Sequence, residues 1–492
     1  MSKVVSIDLG ASNGRLILLT YENDHLYVEE VHRFTNEPIY QNNRLHWNIS
    51  YILNEIKIGL KKYQERYEEP LNSIGVDTWG VDFGLINTEN ELVQNPYSYR
   101  DIHTLSIMKE VYKKIEKKQL FQRTGVELIN INSIYQLYTI YKNEPELLQE
   151  TEVILTMPSL VNFLLTGEKF NEFTHASTTQ LFNWKEGNWD RYLMKEAFGE
   201  PLPLAQLKAT NSIYGYLKQE FKEELKLSQV IPIINVPGHD TACAVAAMPK
   251  ARESAYMSCG TWVLIGVEVD EPIVSDHAYK WGFTNEGTAE NKYRVQKNNM
   301  GLWLLQQCRK EWAEEGTSIT YEEEKKLIRQ APPFQSFIDP DNEMFFNPQS
   351  MTKSIKSFCQ KTGQPIPSTK GELMRCILES LALKYRWVIE KLEQLTRQTI
   401  PEIHMAGGGI RNELFCQFTA NATNKPIKTG PVEASAIGNG LCQLVTLKEI
   451  ADLENARKVV QQSFSINEYI PNNVLQWEEN YNKFSQYLTW RD

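Results

Sequence analysis

No run of about 18 apolar residues occurs anywhere in the chain, so the sequence offers no transmembrane helix. There is no Walker loop of the form GxxxxGK(S/T) and no GxGxxG following a strand, which argues against a P-loop nucleotidase and a Rossmann dehydrogenase. No GxSxG elbow marks a serine hydrolase, and no CxxC pair marks a zinc site. Cysteines number seven, all in the second half: Cys243, Cys259, Cys308, Cys359, Cys376, Cys416 and Cys442. With no apolar secretory segment in MSKVVSIDLG, they are expected to be buried, reduced thiols of a cytoplasmic protein. Positive charge is also short, 52 Lys and Arg against 62 Asp and Glu, for a net charge of −10. That balance disfavours a phosphate-backbone binder or a basic membrane-surface protein. A small anionic ligand needs only a few local donors and stays open. Low-complexity linkers are absent, so the halves of the chain are expected to share a substantial interface.

What is present is an ordinary globular composition over 492 residues, 41% hydrophobic and 23% charged, enough for two large domains or about three smaller ones. VVSIDLG (4–10) and RLILLTYE (15–22) flank a short polar turn and read as a hairpin. SIGVDTWGVDFGLIN (73–87) reads as a second hairpin with Trp79 and Gly80 at its turn, and SAYMSCGTWVLIGVEV (254–269) as a third. The likeness of the first and third suggests a duplicated architecture. Apolar residues from Leu373 to Leu395 recur at helical spacing, and residues 104–123 and 134–149 read as similar helices. Strands mixed with long helices mean an α/β fold. The strand-and-turn segment VIPIINVPGHDTACAVAAM (230–248) marks the midpoint, where the domain boundary is expected.

Three glycine-bearing turns carry candidate chemistry. In Asp8–Arg15, Gly10 and Gly14 permit left-handed backbone, so that successive N–H groups can converge on an anion, with Ser12, Asn13 and Arg15 as further donors. Asp8 is placed to hold a hydrated cation beside phosphates. Ser258–Trp262 offers Thr261 as a second phosphate contact. Gly407–Gly409 lets a flat ligand approach the backbone, and Asn412 is expected to cap the helix that follows. Each turn alone is also compatible with a structural role. The best acid/base candidate is Asp240, at the midpoint in PGHDTA, where a helix N-cap is the competing reading. Trp79 and Phe83 face either a sugar's apolar side or the core. The helix 321–330 reads as a solvated face.

Together these segments resemble the FGGY carbohydrate kinases, which share the actin-like ATPase fold, and the resemblance covers essentially the whole chain. DLGASNGR, DTWGVDF, FTHASTTQL, SCGTW, KNNMGLWLLQ and GPVEASAIGN stand in order and are nearest to the rhamnulokinase branch. The resemblance implies two ribonuclease-H-like domains around a central cleft, 1–244 binding sugar and 245–492 binding nucleotide. It implies Asp240 as general base. It places ATP against Ala11, Ser12, Asn13, Gly14, Arg15, Thr261, Gln306 and Gly408, and sugar against Gly80, His239, Asp240, Thr241 and Asn298. Mg²⁺ would bridge the β- and γ-phosphates. The implied reaction is ATP-dependent phosphorylation of L-rhamnulose at its C1 hydroxyl, in L-rhamnose catabolism. The partners are then the sugar and ATP, with no nucleic acid or membrane. Another 6-deoxy ketose such as L-fuculose stays open as the substrate, as does a non-catalytic actin-like sugar sensor. Pro158–Ser159 departs from the family's usual Pro-Asp, which bears on loop order near the sugar.

Overall fold

The computed structural model describes residues 1–67, 69–227, 229–251, 253–260 and 262–488. Strands β1 (Ser2–Leu9), β2 (Asn13–Glu22), β3 (His25–Thr35), β4 (Ser73–Thr78), β5 (Ser212–Tyr216) and β6 (Pro232–Asn235) form one sheet, in the order β5-β6-β4-β1-β2-β3. Strands β7 (Ala255–Cys259), β8 (Trp262–Val269), β9 (Thr284–Gly287), β10 (Tyr293–Met300), β11 (Ile403–Ala406), β12 (Ile427–Thr429) and β13 (Asn467–Tyr469) form the other, in the order β9-β10-β8-β7-β11-β12-β13.

Each sheet contains three consecutive antiparallel neighbours, β1-β2-β3 and β7-β8-β10, and two strands parallel to the first, β4 with β6 and β11 with β12. This is the ribonuclease-H-like order, present twice. The sequence reason is plain in β1: every residue of SKVVSIDL is buried, as expected of a central strand covered on both faces.

The helices that bear on the site are α1 (Ile49–Arg66), α2 (Asp240–Ala247), α3 (Trp303–Glu314), α4 (Lys370–Thr396), α5 (Glu413–Thr423) and α6 (Ala434–Thr446). In α4 the expected apolar spacing is realised, and Thr369 and Glu372 close a capping box at its start. Asn412 caps α5 by accepting from the Phe415 N–H at 3.0 Å. Helix α6 crosses from the second half to cover the first sheet. Gln443 donates to the Val5 carbonyl at 3.1 Å, and Ser73 donates to Gln443 at 2.7 Å. Asn439 donates to Asp77 at 2.6 Å. At its crossing with α2 the backbones almost touch: a Cβ on Gly438 would lie 1.8 Å from the Cys243 carbonyl oxygen. One core cluster accordingly mixes Val4, Ile17 and Ile234 with Tyr256, Ala436 and Leu441, so the halves do share a large interface.

Two expectations fail. Residues 73–87 are not a hairpin: β4 joins the main sheet, while 83–86 turns away to pair antiparallel with 153–156. Apolar patterning identifies a strand but not its partner. The stretches 104–123 and 134–149 are each broken, into helices 108–114 and 117–124, and 133–143 and 145–149. Glu116 is extended at the first break, and Pro145 starts the last helix. All seven cysteines are buried and unbridged. Among the described residues no helix is long and apolar enough to cross a membrane.

Candidate active site

The site is built from strand ends that meet where the sheets face each other. Asp8, near the end of β1, stands opposite Arg15 on β2 and opposite Asp77 on β4. Arg15 donates to Asp8 and also reaches Glu433, just before α6, so Glu433 leaves the helix start without a side-chain cap. Burial raises the Asp8 carboxyl above its usual range against the pull of Arg15. Asp77 is completely buried; desolvation and the neighbouring Asp8 and Asp240 charges push it well up, and its Oδ1 has no partner.

The glycines of this first loop act differently from expectation. Neither Gly10 nor Gly14 adopts a left-handed φ. Gly10 closes the turn by donating its N–H to the Asn13 carbonyl at 2.9 Å. Gly14 is required by packing, since a Cβ there would come within 2.2 Å of the Phe34 ring. Substitution of Gly14 therefore perturbs a side-chain contact before it perturbs any ligand. Ala11 and Asn13 are half-buried, while Ser12 is exposed and accepts from Arg100 at 3.1 Å.

The second segment leaves β4 at Thr78 and turns through Trp79–Asp82. Val81 has φ of 67°, a strained value for a β-branched residue. It is held there by its N–H donating to Thr178 Oγ1 at 3.1 Å and by its carbonyl accepting from Ser133. The Trp79 carbonyl lies 3.0 Å from His175 Nε2. Asp82 is buried beneath the turn and accepts from Trp47, Trp79 and Gln136 side chains at 2.6, 2.9 and 2.9 Å. Burial nevertheless pushes its carboxyl up to about 6. Trp79 and Phe83 belong to core clusters, which favours the packing role for both.

The third segment, Gly238–Thr241, links β6 to α2. Thr78 donates its N–H to the Gly238 carbonyl at 2.9 Å. Glu172 accepts the Gly238 N–H at 2.8 Å, and Thr174 Oγ1 accepts the His239 N–H at 3.2 Å. Asp240 is the first residue of α2 rather than its cap; His239 holds the cap position. The Asp240 carboxylate accepts from the Thr241 N–H and hydroxyl at 2.6 and 3.2 Å and is about a third exposed, 32% of the side chain. His239 Nε2 lies 3.3 Å from Asp240 Oδ1. A Cβ on Gly80 would sit 3.4 Å from that same nitrogen, so Gly80, His239, Asp240 and Thr241 form one surface. Ser159 is buried against Thr156 at 3.1 Å, and Pro158 packs on Gly238.

The second sheet contributes the rest. Asn298 lies on β10, half-buried, on the same face as Arg294 and Gln296 by the strand's period of two. Glu286 on β9 and Arg294 on β10 contact His239 directly. Gly407 has φ of 89°, and Cβ atoms on Gly407 and Gly409 would come within 2.8 and 2.9 Å of Cys259, so these two glycines let the β11 turn pack on β7. Gly408 is exposed, with nothing within 4 Å of a Cβ built on it. Gln306 is exposed on α3. Thr261 lies outside the described residues. On the helix 321–330, Glu324 is buried against Arg309, an exception to the solvated face expected there.

Sequence reading missed Glu172, Thr174, Thr178, Glu286, Arg294 and Asn439. FTHASTTQL was visible as a motif, but nothing in it said that it would clamp both the 79–81 and the 238–239 turns.

Two family descriptions match: FGGY family of carbohydrate kinases, N-terminal domain, over residues 3–247, and the C-terminal domain over residues 255–447. A rhamnulokinase of Bacteroides thetaiotaomicron is 38% identical over 480 residues, 97% of this chain and 98% of that protein. A rhamnulokinase of Halalkalibacterium halodurans is 37% identical over 470 residues, 96% of this chain and 99% of that protein. The fold is shared with a ligand-bound xylulose kinase from Lactobacillus acidophilus, with a TM-score of 0.82 at 16% identity, covering 99% and 97% of the two chains. A Plasmodium falciparum glycerol kinase with ADP superimposes with a TM-score of 0.80 at 16% identity, covering 99% and 98%.

Proposed function

For this chain, which belongs to the FGGY family of carbohydrate kinases, we propose transfer of the γ-phosphoryl group of ATP to the C1 hydroxyl of L-rhamnulose, giving L-rhamnulose 1-phosphate in the cytoplasmic catabolism of L-rhamnose. The observation that carries the reading is the single surface made by Gly80, His239, Asp240 and Thr241 between two ribonuclease-H-like sheets. The rhamnulokinase names of relatives spanning nearly the whole chain support the choice of sugar. We assign residues 1–244 to sugar binding and 245–492 to nucleotide binding.

Asp240 takes the proton from the C1 hydroxyl as that oxygen attacks the γ-phosphorus. Its partial exposure at the head of α2 leaves Oδ2 free for the task, while Oδ1 is tied to Thr241. Gly80, His239, Thr241 and Asn298 hold the sugar. Ala11 to Arg15 and Thr261 hold the phosphates, and Gln306 and Gly408 the rest of the nucleotide. Closure of the lobes excludes water as a competing acceptor.

Mg²⁺, when bound, neutralises charge on the transferring phosphates. Asp8 would hold it through water, and the neighbouring unpartnered oxygen of Asp77 is the kind of acceptor a hydrated cation satisfies. Among the described residues no cluster of three His, Cys, Asp or Glu side chains is placed to hold a metal ion.

ADP release measured across a panel of ketoses tests the reading. Preferential turnover of L-rhamnulose is expected; preference for L-fuculose replaces the substrate, and no turnover of any sugar defeats the kinase reading for this chain. The nucleotide assignment has its own check. Gly408→Val adds bulk only to open space, so the melting temperature should hold while the KM for ATP rises about tenfold or more, a loss of ~1.4 kcal/mol. Gly407→Val, at φ of 89° and against Cys259, should destabilise the fold instead. Unchanged ATP kinetics in folded Gly408→Val would remove Gly408 from the nucleotide site.

A further inference from the structure

His239 is touched from the opposite side of the cleft by a pair of buried charges. Arg294 has no exposed side-chain surface, and its Nη2 lies 2.6 Å from Glu286 Oε2 and 2.8 Å from His239 Nδ1. Glu286 Oε2 is itself 3.1 Å from His239 Nδ1. These residues sit on β9 and β10 of the second sheet, whereas His239 follows β6 of the first. Besides Arg294 and Glu286, His239 meets Asp240, and His175 is a near neighbour.

A guanidinium can only donate. Its contact with Nδ1 is shorter than that of the carboxylate, and Nη2 carries two protons, one for each neighbour. Nδ1 is then an acceptor, and the proton of a neutral ring belongs on Nε2. That nitrogen faces Asp240 Oδ1 at 3.3 Å and the space above Gly80. Glu286, buried beside Arg294, is held below the usual carboxyl range: burial alone would raise its carboxyl, but the adjacent guanidinium overrides that.

We propose that Arg294 and Glu286 are positioning residues that hold His239 as its Nε2–H tautomer, so that the ring donates into the cleft toward Asp240 and the sugar. This deepens the kinase reading and rests on it for the presence of a sugar. The consequence is that the donor beside the base is oriented by the other lobe. Separating β9 and β10 from the 238–240 turn would release the ring, so the arrangement at Asp240 is complete only when the lobes are together.

The test needs no turnover. In the full chain carrying ¹⁵N-histidine, two-bond ¹H–¹⁵N correlations distinguish the tautomers, and the His239 pattern is the one lost in His239→Asn. A neutral ring protonated on Nε2 is expected at pH 7.5. A ring protonated on Nδ1, donating to Glu286, or on both nitrogens would overturn the proposal even in an active kinase. The second arm is kinetic. Glu286→Gln should lower kcat with sugar by about tenfold or more, the scale on which loss of an outer partner that orients a histidine acts. The KM for ATP should stay within about twofold, and Glu286→Asp should recover part of kcat. A folded Glu286→Gln variant with unchanged kcat, or one that loses ATP affinity as much as kcat, would deny Glu286 this role. The kinase reading itself stands or falls separately, on turnover by the unaltered protein.

Discussion

Replacing Asp240 by Asn should lower kcat by about 10²–10⁴-fold, the usual contribution of a positioned general base, without loss of ATP affinity or fold. A sugar hydroxyl is a weak nucleophile at neutral pH, and its proton must leave as the O–P bond forms. Asn retains the shape of Asp and can still accept from the Thr241 N–H that Asp240 now engages at 2.6 Å. It removes one of three neighbouring acidic groups: the Asp240 charge helps raise both Asp8 and Asp77 above their ordinary carboxyl ranges. Relief of that repulsion should leave the melting temperature unchanged or slightly higher. If Asp240 served only the start of α2, kcat would barely move. Steady-state kinetics, ATP titration and thermal melting on this one variant separate the two roles, and near-normal kcat would end its assignment as the base.

The largest stability effect is expected at Gly438→Ala. A methyl group there would meet the Cys243 carbonyl oxygen at 1.8 Å, and a backbone atom cannot rotate aside. Helices α2 and α6 would have to separate, so the cost should reach or exceed about 3 kcal/mol, the upper part of the overpacking range. Because α2 begins at Asp240, surviving folded protein should also lose activity. Gly440→Ala is the internal comparison. Its Cβ meets the Leu19 side chain at 2.4 Å, which can repack, so the loss should be smaller. Denaturant unfolding of both variants measures the difference, and equal stability of Gly438→Ala and the unaltered chain would show that the helices can move apart freely.

How much of this was readable in the chain depends on whether the signal was local. The first and third hairpins, the long helix 370–396 and the Asn412 cap follow from neighbouring residues and are present. The 73–87 segment misled because the strand 83–86 finds its partner at 153–156, a choice made by tertiary packing. The glycines were legible as special but not why. Gly14 is small for Phe34, and Gly407 and Gly409 are small for Cys259, while Gly408 between them faces open space. Of the residues around the base, His239 was found because it adjoins Asp240. Glu172 holds the Gly238 N–H, and Arg294 holds the His239 ring, from 66 and 55 positions away. Nothing in their flanking sequence distinguishes them from an ordinary surface Glu and Arg.

The reach of α6 back onto β1 and β4 imposes an order of events during synthesis. The first sheet has all its strands once residue 235 is made, but the helix that covers its face is not complete until residue 446. At ~5–20 residues per second, the intervening stretch takes about 10–40 s to emerge. Throughout that interval the face bearing Val4, Ile17 and Ile234, together with the buried polar groups of Ser73 and Asp77, waits for Leu441, Gln443 and Asn439. A ribosome stalled before residue 434 would carry a nascent chain whose first sheet still lacks the helix that covers it.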